Sequence, residues 1–224
     1  MCIICIKKKG IKFPSVENVR NMCDSNPHGF SMVVQSGFDK PEIYKTLNAK
    51  KFIKRYTDVA TNYDPSCTSL YIHARFKTHG TMRIENCHGW KEDGLIFAHN
   101  GVLPIANRDD LTDSETFFRD IFIPAYELGG WKRGEKTINA IIGSGKFVFM
   151  DDHGDIRHYG KYEEEDGILY SNTSYQPRRY EYTAQCSSGW GRYIPYQRTS
   201  RCFEKTKSSA SDWNRDFMDD DYLF

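Results

Sequence analysis

The chain has 224 residues, and its 31 Lys and Arg side chains against 30 Asp and Glu leave a formal charge of +1. That length can bury a full core without staples, and the charge balance argues against a dedicated binder of nucleic acid or of a membrane surface. No run of 18 apolar residues suggests a bilayer span, and the opening MCIICIKKKG is too short for a secretory signal, with its lysines on the wrong side.

In chain order, residues 2–6 are short, apolar and β-branched at three positions, which predicts a buried strand almost at the N-terminus. Residues 7–10 read as a turn and 11–13 as a returning strand that ends at Pro14. A short helix is expected at 15–22 and a strand at 30–35, closed by Gly37. Asp39 as N-cap with Pro41 behind it predicts a helix from there to about Ala60. Strands follow at 69–75 and 95–98, with a loop at 78–86 between them. Thr112 or Asp113 should cap a helix that runs to Asp120 or Leu128 and stops at Gly129-Gly130. A short helix at 137–142, a hairpin of 146–150 with 155–159, and a strand at 167–171 complete the set. Helices between groups of short strands indicate an α+β protein with layered packing.

Composition changes after about Tyr175. Residues 176–224 hold ten aromatics but few aliphatics, with a basic first part and an acidic end. Such a segment cannot build its own aliphatic core. Two regions are therefore expected: a domain at 2–175, and an aromatic-rich polar tail at 176–224 that wraps the surface or binds a partner.

The chemistry concentrates at four places. Cys2 follows the initiator methionine, whose removal is favoured by a small second side chain. Removal would leave an α-amine beside the thiol, and the amine's ordinary pKa of about 8 suits it to take the thiol proton. One residue would then be both nucleophile and base. Arg75 closes the strand Leu70-Tyr71-Ile72-His73-Ala74-Arg75, where a guanidinium can grip a carboxylate with two parallel bonds. His99-Asn100-Gly101 sets a side-chain amide next to a backbone N–H at another strand end, a sensible oxyanion hole. Asp113, in Thr112-Asp113-Ser114-Glu115, places a carboxylate at a helix start, where it could receive an ammonium group. Each also has a plain structural alternative: a surface ion pair for Arg75, a hairpin turn for Asn100-Gly101, an N-cap for Asp113.

Taken together, Cys2, the HARFKTHG stretch at 73–80, the AHNG stretch at 98–101 and the TDSE stretch at 112–115 resemble the glutaminase domain of class II glutamine amidotransferases. The resemblance extends to about Tyr175 and includes Ser171-Asn172-Thr173-Ser174-Tyr175. It implies a four-layer αββα sandwich of the N-terminal-nucleophile hydrolase type. It also implies hydrolysis of L-glutamine to glutamate and ammonia without a cofactor or metal. By resemblance, Cys2 is the nucleophile, Asn100 and Gly101 hold the oxyanion, Arg75 binds the substrate carboxylate and Asp113 its amine. Thr78, His79 and Gly80 would shape the pocket. Phe76 and Lys77 depart from the tryptophan and small residue common in the family, which leaves the pocket rim and acceptor system open. The expected partner is a separate synthetase or acceptor-modifying enzyme.

Two other readings stand beside this one: an N-terminal-cysteine hydrolase of a different amide, and a non-catalytic interaction protein on the same fold. Seven cysteines without a secretion signal read as reduced thiols of a cytoplasmic protein. Cys2-x-x-Cys5 has redox-pair spacing, but on a strand a separation of three turns the two side chains to opposite faces. Gly143-x-Gly145-Lys146 lacks the full glycine run of a phosphate loop and reads as a turn before a strand.

Overall fold

Every strand pairing is antiparallel in the computed structural model, which describes residues 2–77, 82–106, 111–177 and 222–223. The chain divides into one unit of Met1–Arg178 with Asp220–Phe224 and a second of Arg179–Asp219. The second unit, and most of the aromatic tail expected at 176–224, lie outside the described residues.

The first sheet comprises β1 (Ile3–Lys7), β2 (Phe30–Ser36), β3 (Glu42–Thr46), β4 (Thr68–Ala74), β9 (Glu163–Glu165), β10 (Ile168–Tyr170) and β11 (Tyr222–Leu223), in the order β11-β3-β2-β4-β1-β10-β9. The second comprises β5 (Trp90–Glu92), β6 (Leu95–Asn100), β7 (Lys146–Asp151) and β8 (Ile156–Tyr159), in sequence order. Helices α1 (Val16–Ser25) and α2 (Ala49–Asn62) cover the outer face of the first sheet. The helical arm from α3 (Asp113–Thr116) through a π segment (Phe117–Phe122) to α4 (Ile123–Ile141) covers the second. The result is an α+β fold of four layers, helices–sheet–sheet–helices.

Side-chain alternation sends the buried apolar residues of a central strand to different cores by turns. In β1, Ile3 and Cys5 join the helix-side core, while Ile4 and Ile6 meet Ile96, Ala98 and Val148 between the sheets. All five β1 residues, Lys7 included, are fully buried. Burial of each isoleucine contributes about 1.5–3 kcal/mol, so β1 is anchored in the core although it begins at the third residue.

Several expectations need correction. The helix expected from about residue 40 begins only at Ala49, and Glu42–Thr46 is a strand. Ile43 points between the sheets and Tyr44 points to the helices, a two-residue alternation. Asn48 is the true N-cap, its side chain accepting from Lys50 and Lys51 N–H. Residues 11–13 form no strand. Ile11 N–H closes a turn on Lys8 O, and Ile11 and Phe13 pack against the helix-side core as coil. The short strands β5 and β9 went unrecognised in the sequence; each is three residues long, and β9 is Glu-Glu-Glu. The arm continues past Gly129-Gly130, where non-helical dihedrals break it into two limbs. Its wide π turn sets Phe117 and Phe122 on the same side, both buried against the second sheet. Among the described residues no helix is long and apolar enough to cross a membrane.

At one end the layer between the sheets turns polar. By alternation Ser31, Lys45 and His73 share the inward face of Val33, Ile43 and Tyr71, and all three are buried. The His73 ring stacks on His88 at 3.8 Å, nearly parallel, and His88 Nδ1 accepts from His99 N–H at 3.1 Å. Neither nitrogen of His73 has a partner among the described residues. Burial, together with the Arg75 and Lys45 charges, holds His73 and His88 well below the usual histidine range. Burial also brings His99 down to about 4 against the opposing pull of Asp113. Burial lowers the Lys45 amine to about 8, and it sits over the Trp90 ring.

Imidazoles kept neutral in the fold but free to protonate when unfolded make stability rise with pH. The benefit is complete above the ordinary value near 6.5 and is lost as pH falls below it. Between pH 6.5 and 5.0 each such ring should cost about 2 kcal/mol. Urea unfolding at the two pH values should show that loss, and His73→Phe, which keeps the stack, should remove about one ring's share. Equal wild-type stability at both pH values would contradict this account.

Candidate active site

The register of β1 with β4 sets Ile3 opposite Ala74 and therefore brings Cys2 alongside Arg75 and Phe76. Phe76 N–H donates to Cys2 Sγ at 3.3 Å, and the thiol lies 3.6 Å from Phe76 O. Cys2 is half-buried. Burial pushes its thiol above the ordinary value, outweighing the Phe76 N–H and the Arg75 charge, which pull it down. Cys5, three residues on, lies in the helix-side core, so the pair cannot act together.

The backbone of Cys2 is held as well. Its carbonyl accepts from Asn172 Nδ2 at 2.7 Å. Asn172 Oδ1 in turn accepts from Ser174 N–H at 3.0 Å and Ser174 Oγ at 2.6 Å, which fixes the amide's orientation. One residue earlier, Ser171 N–H donates to Ile4 O and Ser171 Oγ accepts from Ile4 N–H at 2.8 Å. The polar run after β10 thus clasps the start of β1.

Arg75 is only 4% exposed. Its N–H donates to Gly29 O, its O accepts from His28 N–H, and Lys77 N–H donates to His28 Nδ1 at 2.9 Å. The His28 ring also packs on Phe76, with centroids 5.1 Å apart. Gly29 is required here: its φ is +139°, and a Cβ would come within 2.6 Å of Cys87 Sγ.

Asn100 ends β6 and is 3% exposed, projecting on the same face as Ile96 and Ala98, toward the first sheet. Its Nδ2 lies 2.7 Å from Ser171 Oγ, while its Oδ1 is buried without a partner among the described residues. Gly101 has φ +154°, and a Cβ there would meet His99 Nε2 at 2.7 Å.

Asp113 is the first residue of α3, and Thr112 is its N-cap, accepting from Glu115 N–H. Asp113 Oδ2 accepts from Leu103 N–H and Oδ1 from Ser114 N–H, both at 2.8 Å. The carboxylate therefore secures the segment that follows Gly101. Among the described residues no hydrogen bond links it to Cys2 or Asn100. Thr78, His79 and Gly80 lie outside the described residues, as does Met1.

The fold thus joins Cys2 to Arg75 through adjacent strands, and to Asn100 through Ser171 and Ile4. Asp113 stands one loop away. Sequence reasoning included Ser171 to Tyr175 in the resemblance without giving them a task, and it missed His28. The visible signal was a dense Ser/Asn/Thr run directly after a strand, a pattern that commonly hydrogen-bonds nearby backbone. Among the described residues no three His, Cys, Asp or Glu side chains converge to hold a metal ion.

No family model matches the chain, and a search of curated proteins returns no match. The similarities to solved structures include these three. The chain is 15% identical to glutamine phosphoribosylpyrophosphate amidotransferase from B. subtilis, with a TM-score of 0.45 over 78% of this chain and 42% of that one. It is 15% identical to a glutamine aminotransferase class-II domain protein from Silicibacter pomeroyi, with a TM-score of 0.44 over 76% and 87%. It is 16% identical to an allosteric regulatory enzyme of purine biosynthesis, with a TM-score of 0.39 over 68% and 36%. The chain thus spans less than half the length of the first and third.

Proposed function

We propose that this chain hydrolyses the side-chain amide of L-glutamine with Cys2 as nucleophile, releasing glutamate and ammonia. The observation that carries the reading is the seating of the Cys2 thiol against Phe76 N–H beside the Arg75 side chain. The sequence resemblance supports the same roles.

In this reading loss of Met1 frees the Cys2 α-amine. Because burial keeps the thiol protonated near neutral pH, attack needs a base, and the amine is the nearest by covalent structure. The amine takes the thiol proton as sulfur bonds to the amide carbon. The carbonyl oxygen becomes an oxyanion held by Asn100 Nδ2 and Gly101 N–H. Collapse breaks the C–N bond, and the amine returns its proton to the departing ammonia. Water then cleaves the thioester and restores the thiol. Arg75 pairs with the substrate carboxylate, and the resemblance gives Thr78, His79 and Gly80 the task of shaping the pocket. Residues 2–175 carry the hydrolysis. The aromatic tail at 176–224 serves a partner, a separate synthetase or acceptor-modifying enzyme in the cytoplasm that takes the ammonia.

Asp113 supports a second reading. Both of its oxygens already accept backbone N–H groups, so an α-amine would have to share them, whereas an amide substrate without an α-amine makes no demand on Asp113. Comparing glutamine with its deamino analogue separates the two. If Asp113 binds the ammonium, Asp113→Asn should raise KM for glutamine about tenfold or more and leave the deamino analogue within twofold. The opposite preference in the wild-type protein would favour the second reading.

Cys2→Ala should abolish glutamate release. Asn100→Ala should lower kcat about 100-fold, the cost of one oxyanion donor, roughly 3–4 kcal/mol. Intact mass after treatment with an electrophilic glutamine analogue should show loss of Met1 and a single adduct on Cys2. Undiminished turnover in Cys2→Ala would end the assignment.

A further inference from the structure

The Asn100 carboxamide presents a choice of sign. As an oxyanion donor it must offer N–H to the pocket; turned the other way it would offer an oxygen and repel the developing charge. Its polar atoms are both buried. One end rests on Ser171 Oγ at 2.7 Å, and the other has no partner among the described residues. What Ser171 offers at that contact therefore decides what the free end is.

A serine hydroxyl has one hydrogen and two acceptor positions. Ile4 N–H occupies one acceptor position at 2.8 Å. If Asn100 directs its nitrogen to Ser171, the other position is filled, Oδ1 is stranded, and the hydroxyl hydrogen has no acceptor among the described residues. If Asn100 directs its oxygen to Ser171, the hydroxyl donates to Oδ1, so both Oδ1 and the hydroxyl hydrogen are satisfied. The free end is then the N–H pair. Oxygen and nitrogen of a carboxamide exchange by a half-turn within the same outline, so the choice rests on the hydrogen-bond network. The 2.7 Å separation is the usual one for O–H···O and short for N–H···O.

We propose that Ser171 is a positioning residue: its hydroxyl donates to Asn100 Oδ1 and so turns the Asn100 amide N–H pair toward the acyl oxygen at Cys2. The same hydroxyl accepts from Ile4 N–H, two residues from the nucleophile, so one atom ties the oxyanion donor to the strand that carries the sulfur. This inference rests on the glutaminase reading and deepens it. Ser171 touches no reacting atom; its effect on the oxyanion runs through Asn100, while its bonds to Ile4 hold the start of β1.

Kinetics on the full chain test it. Ser171→Ala should lower kcat for glutamine tenfold or more, with KM within twofold. The Ser171→Ala/Asn100→Ala double variant should lose no more than Asn100→Ala alone, because a residue that acts through another has no separate effect once that residue is gone. Iodoacetamide, which needs no oxyanion hole, should alkylate Cys2 in Ser171→Ala at the wild-type rate. Should Ser171→Ala not fold, the isosteric pair Ser171→Thr and Ser171→Val isolates the hydroxyl, with kcat at least tenfold higher for Thr. An active wild type with full turnover in Ser171→Ala, equal kcat for Thr and Val, or additive losses in the double variant would each overturn this inference alone. A wild type that neither turns over glutamine nor reacts with the glutamine analogue would end the glutaminase reading and this inference with it.

Discussion

Pairing of β1 with β4 is the constraint on which the candidate site depends. β1 lies between β4 and β10 and is buried on both faces, so its register cannot slip without turning Ile3 and Ile4 into the wrong cores. Because the two strands run in opposite directions, the start of β1 meets the end of β4. A sulfur at residue 2 and a guanidinium at residue 75 become neighbours for that reason alone. The same pairing fixes Ile3 to Lys7 along their whole length.

The site opens from a layer that is apolar over most of its length and polar at one end. Ile4, Ile6, Val33 and Val148 fill the apolar part. Ser31, Lys45, His73 and Asn100 occupy the polar end, where Ser31 Oγ, both nitrogens of His73 and one end of the Asn100 amide have no hydrogen-bond partner among the described residues. Burying unpaired polar atoms is costly, and natural folds retain such groups mainly where they serve a purpose. The neutral His73 and His88 stack also keeps additional positive charge away from Arg75 and Lys45.

Around this end, small polar groups do the positioning. Asn172 holds the Cys2 carbonyl, Ser174 holds Asn172, Ser171 holds Ile4 and Asn100, and His28 holds the segment from Arg75 to Lys77. Asp113 is drawn into the same scheme, bracing Leu103 behind Gly101. Charged and nucleophilic groups are thus few, and most of the construction consists of neutral hydrogen bonds that set their angles. Such bonds are individually modest but expensive to break when buried, which suits them to fixing geometry.

Local patterns in the chain were enough to reveal β1, β4, β6, the β7–β8 hairpin and a cap at Thr112 or Asp113, because alternation and capping are short-range signals; the structure settles the cap on Thr112. They also picked out Cys2, Arg75, Asn100 and Gly101, each at a strand end with distinctive chemistry. Residues 42–46 were misread because five residues with two adjacent apolar groups suit a helix or a strand equally; pairing with β2 decided the matter. β5 and β9 are too short to signal at all. The placement of Cys2 against Phe76, the grip of Ser171 on Asn100 and the engagement of Asp113 by Leu103 join residues 74, 71 and 10 positions apart in the chain. By itself the sequence singled out several side chains suited to chemistry and most of the longer extended segments. Only the tertiary structure decided which of them meet, because contact across strands depends on register and facing, and those arise from burial of the whole core.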